Sequence, residues 1–358
     1  MNKNSKIYVA GHCGLVGSAI WSNLKKKGYA NLIGQTHPEL DLQDSAAVKS
    51  FFDKEQPEYV FLAAAHVGGI MANNTYRADF IYDNLQIQQN VIGESFRHHI
   101  KKLLFLGSTC IYPKETEQPI KEEALLTSPL EYTNEPYAIA KIAGLKMCES
   151  FNIQYGTDYL TVMPTNLYGP NDNFDLERSH VLPAIIRKIR LADCLKRNDW
   201  EAVKADLNKR PIENIHGTNN NEDILGALKK YGVFPERVEL WGTGKPLREF
   251  LWSEDMADAC VYIMEQIGFN DLRGTEAEVR NCHINVGTGT EISIKALAGL
   301  IAKTVGYDGT ILFNSDKPDG TMRKLTDPSK LHELGWHHTV EIEEGVEKIY
   351  QWYLSGIC

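Results

Sequence analysis

A glycine-rich turn near the N-terminus constrains the fold of this chain more than any other feature. An apolar run at residues 6–10 predicts a short buried strand, the pattern Gly11-x-x-Gly14-x-x-Gly17 follows at once, and helical periodicity continues to about Lys27. Glycines at this spacing let the backbone turn tightly, and a helix N-terminus favours negative charge. A turn without a ligand would also use glycines, but the strand before it and the helix after it favour a site for a dinucleotide pyrophosphate.

Apolar runs alternate with amphipathic stretches through the first 170 residues, which predicts alternating strands and helices. This pattern is typical of an α/β fold with a doubly wound parallel sheet, the Rossmann arrangement, whose ligands bind beyond the carboxyl ends of the strands. The predicted strands are 7–10, 31–33, 59–63, 103–107 and 159–164, and the predicted helices are 14–27, 44–54, 77–99 and 136–155.

The pattern changes beyond about residue 170, which predicts a smaller C-terminal α/β domain that binds the substrate. Residues 189–237 are polar and charged and predict an insertion. We predict a dinucleotide-binding domain of residues 1–170 that returns at about 249–288, and a second domain of residues 171–248 and 289–358. The later predicted elements are strands near 238–241, 283–286 and 310–313 and helices near 253–267, 292–305 and 341–354.

The composition is that of a soluble enzyme. Lys and Arg number 38 against 47 Asp and Glu, and the net charge of -9 argues against binding to nucleic acid or to an anionic membrane surface. No apolar run approaches the ~18 to 20 residues of a membrane span, and the first five residues lack a signal-peptide core. The seven cysteines are scattered without metal-type spacing, which predicts no metal site and a reducing cytoplasm.

Tyr137 and Lys141 lie four residues apart in a predicted helix and therefore share one of its faces. A free phenol has a pKa of about 10 and holds its proton tightly, so we expect the Lys141 ammonium to move the pKa of Tyr137 toward neutrality. Ser108 follows the strand predicted at 103–107. An exposed Tyr–Lys pair on a helix would show the same spacing. The glycine turn and Ser108 in the same chain favour a role in proton delivery to a carbonyl oxygen that receives a hydride.

These residues together resemble the extended short-chain dehydrogenase/reductase family that acts on nucleotide sugars. Longer strings narrow the resemblance to the 3,5-epimerase/4-reductases that convert GDP-4-keto-6-deoxy-D-mannose into GDP-L-fucose. The similarity runs from Lys6 to about Trp352 and is interrupted by the segment 189–237. The strings that carry it are 64–70, 73–76, 106–113, 163–170 and 317–321.

The resemblance implies a separate role for each catalytic residue. Tyr137 would protonate the C4 oxygen while a nicotinamide delivers hydride to C4. Lys141 would lower the tyrosine pKa and bind the nicotinamide ribose, and Ser108 would hydrogen-bond the same carbonyl. Cys110 and His180 match the pair that exchanges protons at C3 and C5, where a thiol and an imidazole can each act near neutral pH. Taken singly, such a cysteine is usually a core residue and such a histidine usually precedes a helix.

The resemblance also implies a cofactor, which we predict to be NADP(H), with NAD(H) as the alternative. Members that prefer NADP(H) typically carry Arg in the glycine turn and after the second strand, where this chain has Cys13 and the stretch 35–37. No acidic residue ends that strand, so the NAD signature is also missing. The expected cofactor-binding residues are Gly11, Gly14, Leu15, Val16, Gly17, His37, Asp41, Leu42, Ala64, Lys141, Pro164, Asn166, Leu167 and His180.

A GDP-sugar needs cations for its phosphates and a flat surface for its rings. Arg grips phosphate oxygens through parallel hydrogen bonds, and the face of a Trp can hold guanine or sugar. Relatives commonly pair through helices equivalent to 77–99 and 136–155, so we also expect a homodimer. The expected substrate-binding residues are Asn166, Arg187, Lys188, Trp241, Arg248 and Lys324.

Three alternatives stay open beside this interpretation. The predicted insertion could reshape the sugar pocket, so the chain could be a C4-reductase of a related sugar such as a GDP-4-keto-heptose, with little or no epimerase activity. A nucleotide-sugar 4-epimerase or 4,6-dehydratase would recycle its cofactor, but dehydratases usually place acid and base directly after the catalytic Ser or Thr. A redox-dead nucleotide-binding regulator would have a damaged Ser, Tyr, Lys set, and here all three are intact.

Overall fold

The computed structural model describes residues 1–275, 278–317 and 319–356. Pro318, within the string 317–321, and Cys358 lie outside the described residues. The chain forms two compact units. The first consists of Met1–Leu167, Glu249–Gly289 and Leu325–Thr339, and the second consists of Tyr168–Arg248, Thr290–Lys324 and the residues from Val340 on.

The strands lie close to their predicted positions wherever the apolar runs are continuous. They are β1 (Ile7–Ala10), β2 (Leu32–Ile33), β3 (Tyr59–Leu62), β4 (Lys102–Leu106), β5 (Tyr159–Pro164), β6 (Asn166–Tyr168), β7 (Arg237–Trp241), β8 (Leu247–Arg248), β9 (Phe250–Trp252), β10 (Ile284–Val286), β11 (Ile292–Ser293) and β12 (Thr310–Asn314).

The helices begin and end with local signals in several places. Asp44 caps α2 by accepting hydrogen bonds from the backbone of Ala46 and Ala47, and Gly156 ends α5 in the left-handed conformation. The helices are α1 (Leu15–Lys26), α2 (Ser45–Glu55), α3 (Ile70–Thr75), α4 (Arg77–Arg97), α5 (Glu135–Tyr155), α6 (Val181–Lys196), α7 (Trp200–Lys209), α8 (Asn221–Lys230), α9 (Ser253–Gln266), α10 (Phe269–Leu272), α11 (Ile294–Val305), α12 (Ser329–Glu333) and α13 (Ile342–Ser355).

The first unit is built on a parallel sheet with strand order β10-β5-β4-β3-β1-β2. Alternate residues of each strand face opposite sides, so Ile7 and Val9 pack with α1 and α9 while Tyr8 and Ala10 pack with α2 and α4. Because helices cover both faces, the strands are predominantly apolar rather than alternating between apolar and polar residues. The predicted doubly wound Rossmann fold is confirmed.

The second unit contains two short sheets, the parallel pair β7 and β12 and the antiparallel pair β8 and β11. Apolar residues of α6, α7, α8, α11 and α13 are buried beside them. The segment predicted as an insertion, 189–237, is folded: it supplies the second half of α6 together with α7 and α8.

One segment lies in a different unit from the one predicted. Residues 325–339 were assigned to the second domain, but they belong to the first unit. Long-range contacts hold them there: Trp336 donates to Asp258 at 3.0 Å, and Lys330 donates to the backbone oxygens of Asn281 and His283, each at 3.1 Å. No local pattern could have shown these partners, because they are distant in the sequence.

Candidate functional site

The three glycines of the N-terminal turn have different physical reasons for being glycine. Gly11 has φ of +84°, and a Cβ there would lie 2.8 Å from the backbone nitrogen of Ala64. A Cβ on Gly17 would overlap the carbonyl oxygen of Gly11. A Cβ on Gly14 would meet only the Gly11 oxygen, at an ordinary 3.5 Å. The fold therefore requires glycine at positions 11 and 17. At position 14 the fold would accept a side chain, and the absence of one leaves space beside the backbone.

That open space lies at the start of α1, which begins with Leu15 and Val16 after Gly14 as its N-terminal cap. The first N–H groups of a helix have no partner within the helix and carry partial positive charge. A pyrophosphate fits such a place because it needs donors and a close backbone approach. The residues present therefore suit the predicted dinucleotide.

The structure brings His37 and Asp41 together after β2. His37 Nδ1 lies 3.8 Å from Asp41 Oδ1, and both side chains are largely exposed. Leu42 packs against the core beside them. In the glycine turn, Cys13 Sγ lies 3.3 Å from His12 Nε2. This end of the site offers an imidazole, which can donate a hydrogen bond to a phosphate, and a carboxylate, which can accept hydrogen bonds from ribose hydroxyls.

Ser108 and Cys110 lie on a tight turn directly after β4. Ser108 Oγ accepts a hydrogen bond from the Cys110 backbone at 3.3 Å and so caps the short 3₁₀ helix Thr109–Ile111. Cys110 is buried. The cap holds both side chains at the carboxyl end of a central strand, where doubly wound sheets bind their ligands.

Sequence reasoning missed the group that anchors this turn. Tyr112 is buried, its hydroxyl donates to Asn285 Oδ1 at 2.5 Å, and His283 Nε2 lies 3.0 Å from the same hydroxyl. Burial lowers the pKa of His283 to about 3, so the imidazole is neutral. Asn285 in β10 thereby holds the loop that carries Cys110.

Lys141 lies on α5 with its ammonium directed at the end of β4. Its Nζ donates to the backbone oxygen of Leu106 at 2.9 Å and lies 5.6 Å from the centre of the Tyr137 ring. Burial lowers the pKa of Lys141 to about 8. Leu106 is two residues before Ser108, so the contact ties the Tyr–Lys helix to the turn that carries Ser108.

The prediction that Lys141 moves the pKa of Tyr137 toward neutrality is wrong. Burial raises the pKa of the Tyr137 phenol well above its ordinary value, and the nearby Cys110 thiol adds to that rise. The loss of hydration outweighs the neighbouring ammonium, whose own pKa has fallen. Tyr137 therefore holds its proton at neutral pH, the form that a proton donor needs.

Ser108, Cys110, Tyr137 and Lys141 converge in the first unit. The Cys110 thiol shifts the pKa values of both Tyr137 and Lys141, which places these three groups within electrostatic range. A proton donor, a cation, a hydroxyl and a thiol at one strand end can exchange protons with a polarised carbonyl compound and its neighbouring carbons.

The chain after β5 contributes further predicted residues. Pro164 ends β5, Asn166 is exposed, and Leu167 packs against the core. The Asn166 side chain donates from Nδ2 to the backbone oxygen of Glu249 at 2.8 Å. Asn166 is therefore oriented by a contact to the residue between β8 and β9, which is distant in the sequence.

In the second unit, His180 is exposed and occupies the position before the first turn of α6. Lys188, two turns further on, donates from Nζ to the backbone oxygen of Glu239 at 3.2 Å. Burial lowers the pKa of Lys188 to about 8. Lys188 thus keeps donors beyond the one used by Glu239, in keeping with the predicted phosphate contact.

Arg187 does not have the exposure that the prediction required. Its guanidinium is completely buried, with Nε 2.9 Å and Nη2 2.8 Å from Asp206 Oδ1. It also donates to the backbone oxygens of Phe174 and Arg210, while Tyr353 donates to Asp206. Its donors are directed into this network, so the assignment of Arg187 to substrate binding is wrong. Breaking such a buried pair costs about 3–5 kcal/mol, which indicates a structural role.

The remaining substrate candidates lie in or near the turn between β7 and β8. Trp241 is 59% exposed, and Lys317 Nζ lies 5.4 Å from the centre of its ring. Asp319 closes the turn by accepting hydrogen bonds from the backbone and side chain of Thr243, at 2.8 and 2.7 Å. Burial lowers the pKa of Arg248. Lys324, partly exposed, completes the predicted set.

Within residues 1–275, 278–317 and 319–356, the helices lack the combination of length and apolar character that a membrane span needs. No group of three or more His, Cys, Asp or Glu side chains in that part of the chain could hold a metal ion.

Comparison with known proteins agrees with this geometry. The model of the NAD dependent epimerase/dehydratase family matches residues 7–207 and 216–285. The chain is 49% identical over 357 residues to GDP-L-fucose synthase 1 of Arabidopsis thaliana, covering 100% of this chain and 95% of the relative. It is 47% identical over 351 residues to the GDP-L-fucose synthase of Escherichia coli, covering 98% of this chain and 97% of the relative.

A solved structure of a GDP-mannoheptose C4 reductase from Campylobacter jejuni, with NADP bound, is also similar. It is 46% identical, covers 99% of both chains and superposes with a TM-score of 0.87. The chain therefore belongs to the NAD dependent epimerase/dehydratase family, within the extended short-chain dehydrogenase/reductases, as a relative of the GDP-L-fucose synthases.

Proposed function

We propose that this protein is an NADP(H)-dependent 3,5-epimerase/4-reductase that converts a GDP-4-keto-6-deoxyhexose into GDP-L-fucose. The observation that carries the proposal is the convergence of Ser108, Cys110, Tyr137 and Lys141 at the end of β4. The GDP-L-fucose synthases of Arabidopsis thaliana and Escherichia coli, at 49% and 47% identity, support the substrate class. We assign the cofactor to the first unit and the GDP-sugar to the second.

Reduction at C4 follows from the protonation states of the site. NADPH, held at Gly14, Leu15 and Val16, would supply the hydride. Tyr137 keeps its proton at neutral pH and donates it to the C4 oxygen as negative charge develops there. Ser108 donates to the same oxygen, and Lys141, once protonated, stabilises the phenolate that Tyr137 becomes.

Epimerisation uses the same carbonyl before it is reduced. Removing a proton from C3 or C5 leaves charge on the C4 oxygen, where Tyr137 and Ser108 donate hydrogen bonds. Inversion requires a base on one face of the carbon and an acid on the other. We assign these roles to Cys110 and His180, a thiol and an imidazole that can each exchange a proton; desolvation lowers the pKa of His180 and favours its neutral form.

A C4 reductase of a GDP-4-keto-heptose is the second candidate. The specific observation is that the Campylobacter jejuni GDP-mannoheptose C4 reductase is 46% identical over 99% of both chains, close to the values for the fucose synthases. The folded segment 189–237, which adds α7 and α8 beside α6, is the part of this chain that we propose to adapt the sugar site.

The deciding experiment is turnover of GDP-4-keto-6-deoxy-D-mannose in deuterated buffer. With NADPH we expect cofactor oxidation and a product with deuterium at C3 and C5, and a slower reaction with NADH. A Cys110→Ser variant should lose deuterium incorporation at least tenfold more than it loses hydride transfer, because Tyr137 and Ser108 are intact. Cys148→Ser, which alters another buried thiol of the first unit, is the matched control.

The outcomes separate the candidates. Turnover of a GDP-4-keto-heptose without deuterium at C3 and C5, and none of the deoxyhexose, would establish the second candidate. Tight NADPH and GDP binding with no turnover of either sugar would refute both. A net absence of cofactor consumption, with an isomerised product, would place the chain among the epimerases.

We also propose that the protein is a cytoplasmic homodimer. Catalysis by Cys110 requires a free thiol, which a reducing compartment preserves. The α4–α5 surface exposes large apolar side chains, among them Tyr82 at 62%, Ile139 at 40% and Ile153 at 55%. Exposed apolar patches of this kind mark protein interfaces.

Sedimentation at micromolar concentration should give a dimer mass, and Ile139→Glu should give a monomer because it places a charge on that face. Leu126→Glu is the matched control, since Leu126 is 59% exposed but lies outside α4 and α5. A monomer mass for the wild-type protein would refute the dimer.

A further inference from the structure

Glu249 is a completely buried carboxylate with an unusual number of donors around it. Its Oε1 accepts hydrogen bonds from the backbone of Thr288 and Gly289, both at 2.7 Å. Its Oε2 accepts from the backbone and the hydroxyl of Thr326, at 3.0 and 2.7 Å. Four donors therefore converge on two oxygens, which is the arrangement that compensates a buried negative charge.

The surroundings of Glu249 are shaped for this carboxylate. A Cβ on Gly287 would overlap Glu249 Oε1, so a glycine is required there for the approach. The backbone oxygen of Glu249 accepts hydrogen bonds from Asn166 Nδ2 at 2.8 Å and from Thr165 Oγ1 at 3.4 Å. One residue thus joins three chain segments that are distant in the sequence.

Proposed substrate-binding residues lie on or beside some of these segments. Asn166 bonds directly to Glu249, Arg248 is the residue before it, and Lys324 lies two residues before Thr326. At each of these segments the chain passes from one compact unit to the other within two residues, at Leu167, Glu249 and Leu325.

We propose that Glu249 is a positioning residue for the GDP-sugar site, which sets the direction of Lys324 through the hydrogen bonds that its carboxylate accepts from Thr326. The inference rests on the proposed function, because it assumes that Lys324 binds the nucleotide sugar. Glu249 itself is buried and does not touch substrate.

The carboxylate is needed because an amide cannot satisfy the same donors. In Glu249→Gln, one oxygen still accepts two hydrogen bonds, but the NH₂ group faces the other two donors. Either the pair at Thr288 and Gly289 or the pair at Thr326 then loses its acceptor and moves. A loss at Thr326 moves the segment that carries Lys324, whereas the glycine turn at residues 11–17 and the bond from Asn166 to the Glu249 backbone oxygen are untouched.

Asp255 provides a matched control in the same unit. It is also buried, and its carboxylate accepts hydrogen bonds from the backbone and hydroxyl of Thr339, at 3.0 and 2.7 Å. None of the proposed substrate-binding residues adjoins Asp255 or Thr339 in the sequence. Asp255→Asn should therefore lower the stability of the fold by a similar amount without moving a proposed substrate-binding residue.

The test is calorimetric binding of GDP and of NADPH to the wild-type protein and its variants, with thermal unfolding alongside. Glu249→Gln should weaken GDP binding at least tenfold and change NADPH binding less than threefold. Asp255→Asn should lower the unfolding temperature similarly and leave both affinities within threefold. Thr326→Val, which removes one of the four donors, should weaken GDP binding about threefold even if Glu249→Gln fails to fold.

Equal GDP affinity in the wild type, Glu249→Gln and Thr326→Val would overturn the positioning role while leaving the proposed function intact. Parallel losses of GDP and NADPH binding in Glu249→Gln would reduce the residue to a structural one and would also overturn it. A wild-type protein that binds NADPH but not GDP would refute the proposed function, and the inference with it.

Discussion

Tyr137→Phe is expected to lower kcat for C4 reduction by about 10²- to 10⁴-fold, the usual contribution of a general acid. Phenylalanine keeps the ring, which packs edge-on against Phe80 with centroids 6.3 Å apart, and removes only the hydroxyl. Charge developing on the C4 oxygen then has Ser108 as a hydrogen-bond donor but no group that releases a proton to it. The measurement is NADPH oxidation at saturating sugar, with NADPH affinity determined separately.

Tyr155→Phe is the matched control, because Tyr155 lies on the same helix but is 54% exposed, and it should retain full activity. NADPH binding should change less than threefold in Tyr137→Phe, since the glycine turn is unaltered. A loss of less than tenfold in kcat would show that another group or water protonates the C4 oxygen. Deuterium exchange at C3 and C5 should also slow, because the phenol stabilises the enolate in the same proposal.

The features that could be predicted from the sequence are those that local physics determines. Strand β1 and strand β5 have the predicted bounds because each is a continuous apolar run that helices cover on both faces. The start of α2 could be predicted to within one residue because Asp44 caps it through its own side chain. The glycine turn combines a positive φ at Gly11 with a close approach at Gly17. Both features require glycine, so the sequence itself indicates them.

The features that could not be predicted depend on partners far along the chain. Arg187 matches a substrate-binding position, but Asp206 and Tyr353 bury it, and nothing in the sequence around Arg187 indicates either partner. The segment 325–339 was placed in the wrong unit for the same reason, because Asp258 and Glu249 hold it. Convergence of this kind is a property of the folded chain alone.

The pKa of Tyr137 shows a second limit of sequence reasoning. A Tyr-x-x-x-Lys pattern shows that a cation lies near the phenol. It does not show how far burial removes water from both groups, because that depends on the packing of α5. In the folded protein, burial raises the pKa of the phenol and lowers that of the ammonium to about 8. The predicted residues are the ones brought together, while the predicted direction of the shift is reversed by burial.

The second large effect is expected at the glycine turn, where two similar substitutions should behave differently. Gly14→Ala adds a methyl group that meets the protein only at 3.5 Å from the Gly11 oxygen, so the fold should tolerate it. The same methyl occupies the space that we assign to the pyrophosphate. NADPH binding should therefore weaken at least tenfold, about 1.4 kcal/mol, with little change in the unfolding temperature.

Gly17→Ala places its methyl group against the carbonyl oxygen of Gly11, and that oxygen accepts the hydrogen bond from Gly14 that closes the turn. Overpacking against backbone costs about 1–3 kcal/mol, so both stability and NADPH affinity should fall. Gly93→Ala, at a helical glycine with open space around it, controls for added methyl groups generally. Calorimetry with NADPH, together with thermal unfolding, measures both effects. If Gly14→Ala binds NADPH as tightly as the wild type, the pyrophosphate does not approach the second glycine, and the cofactor assignment of this turn fails.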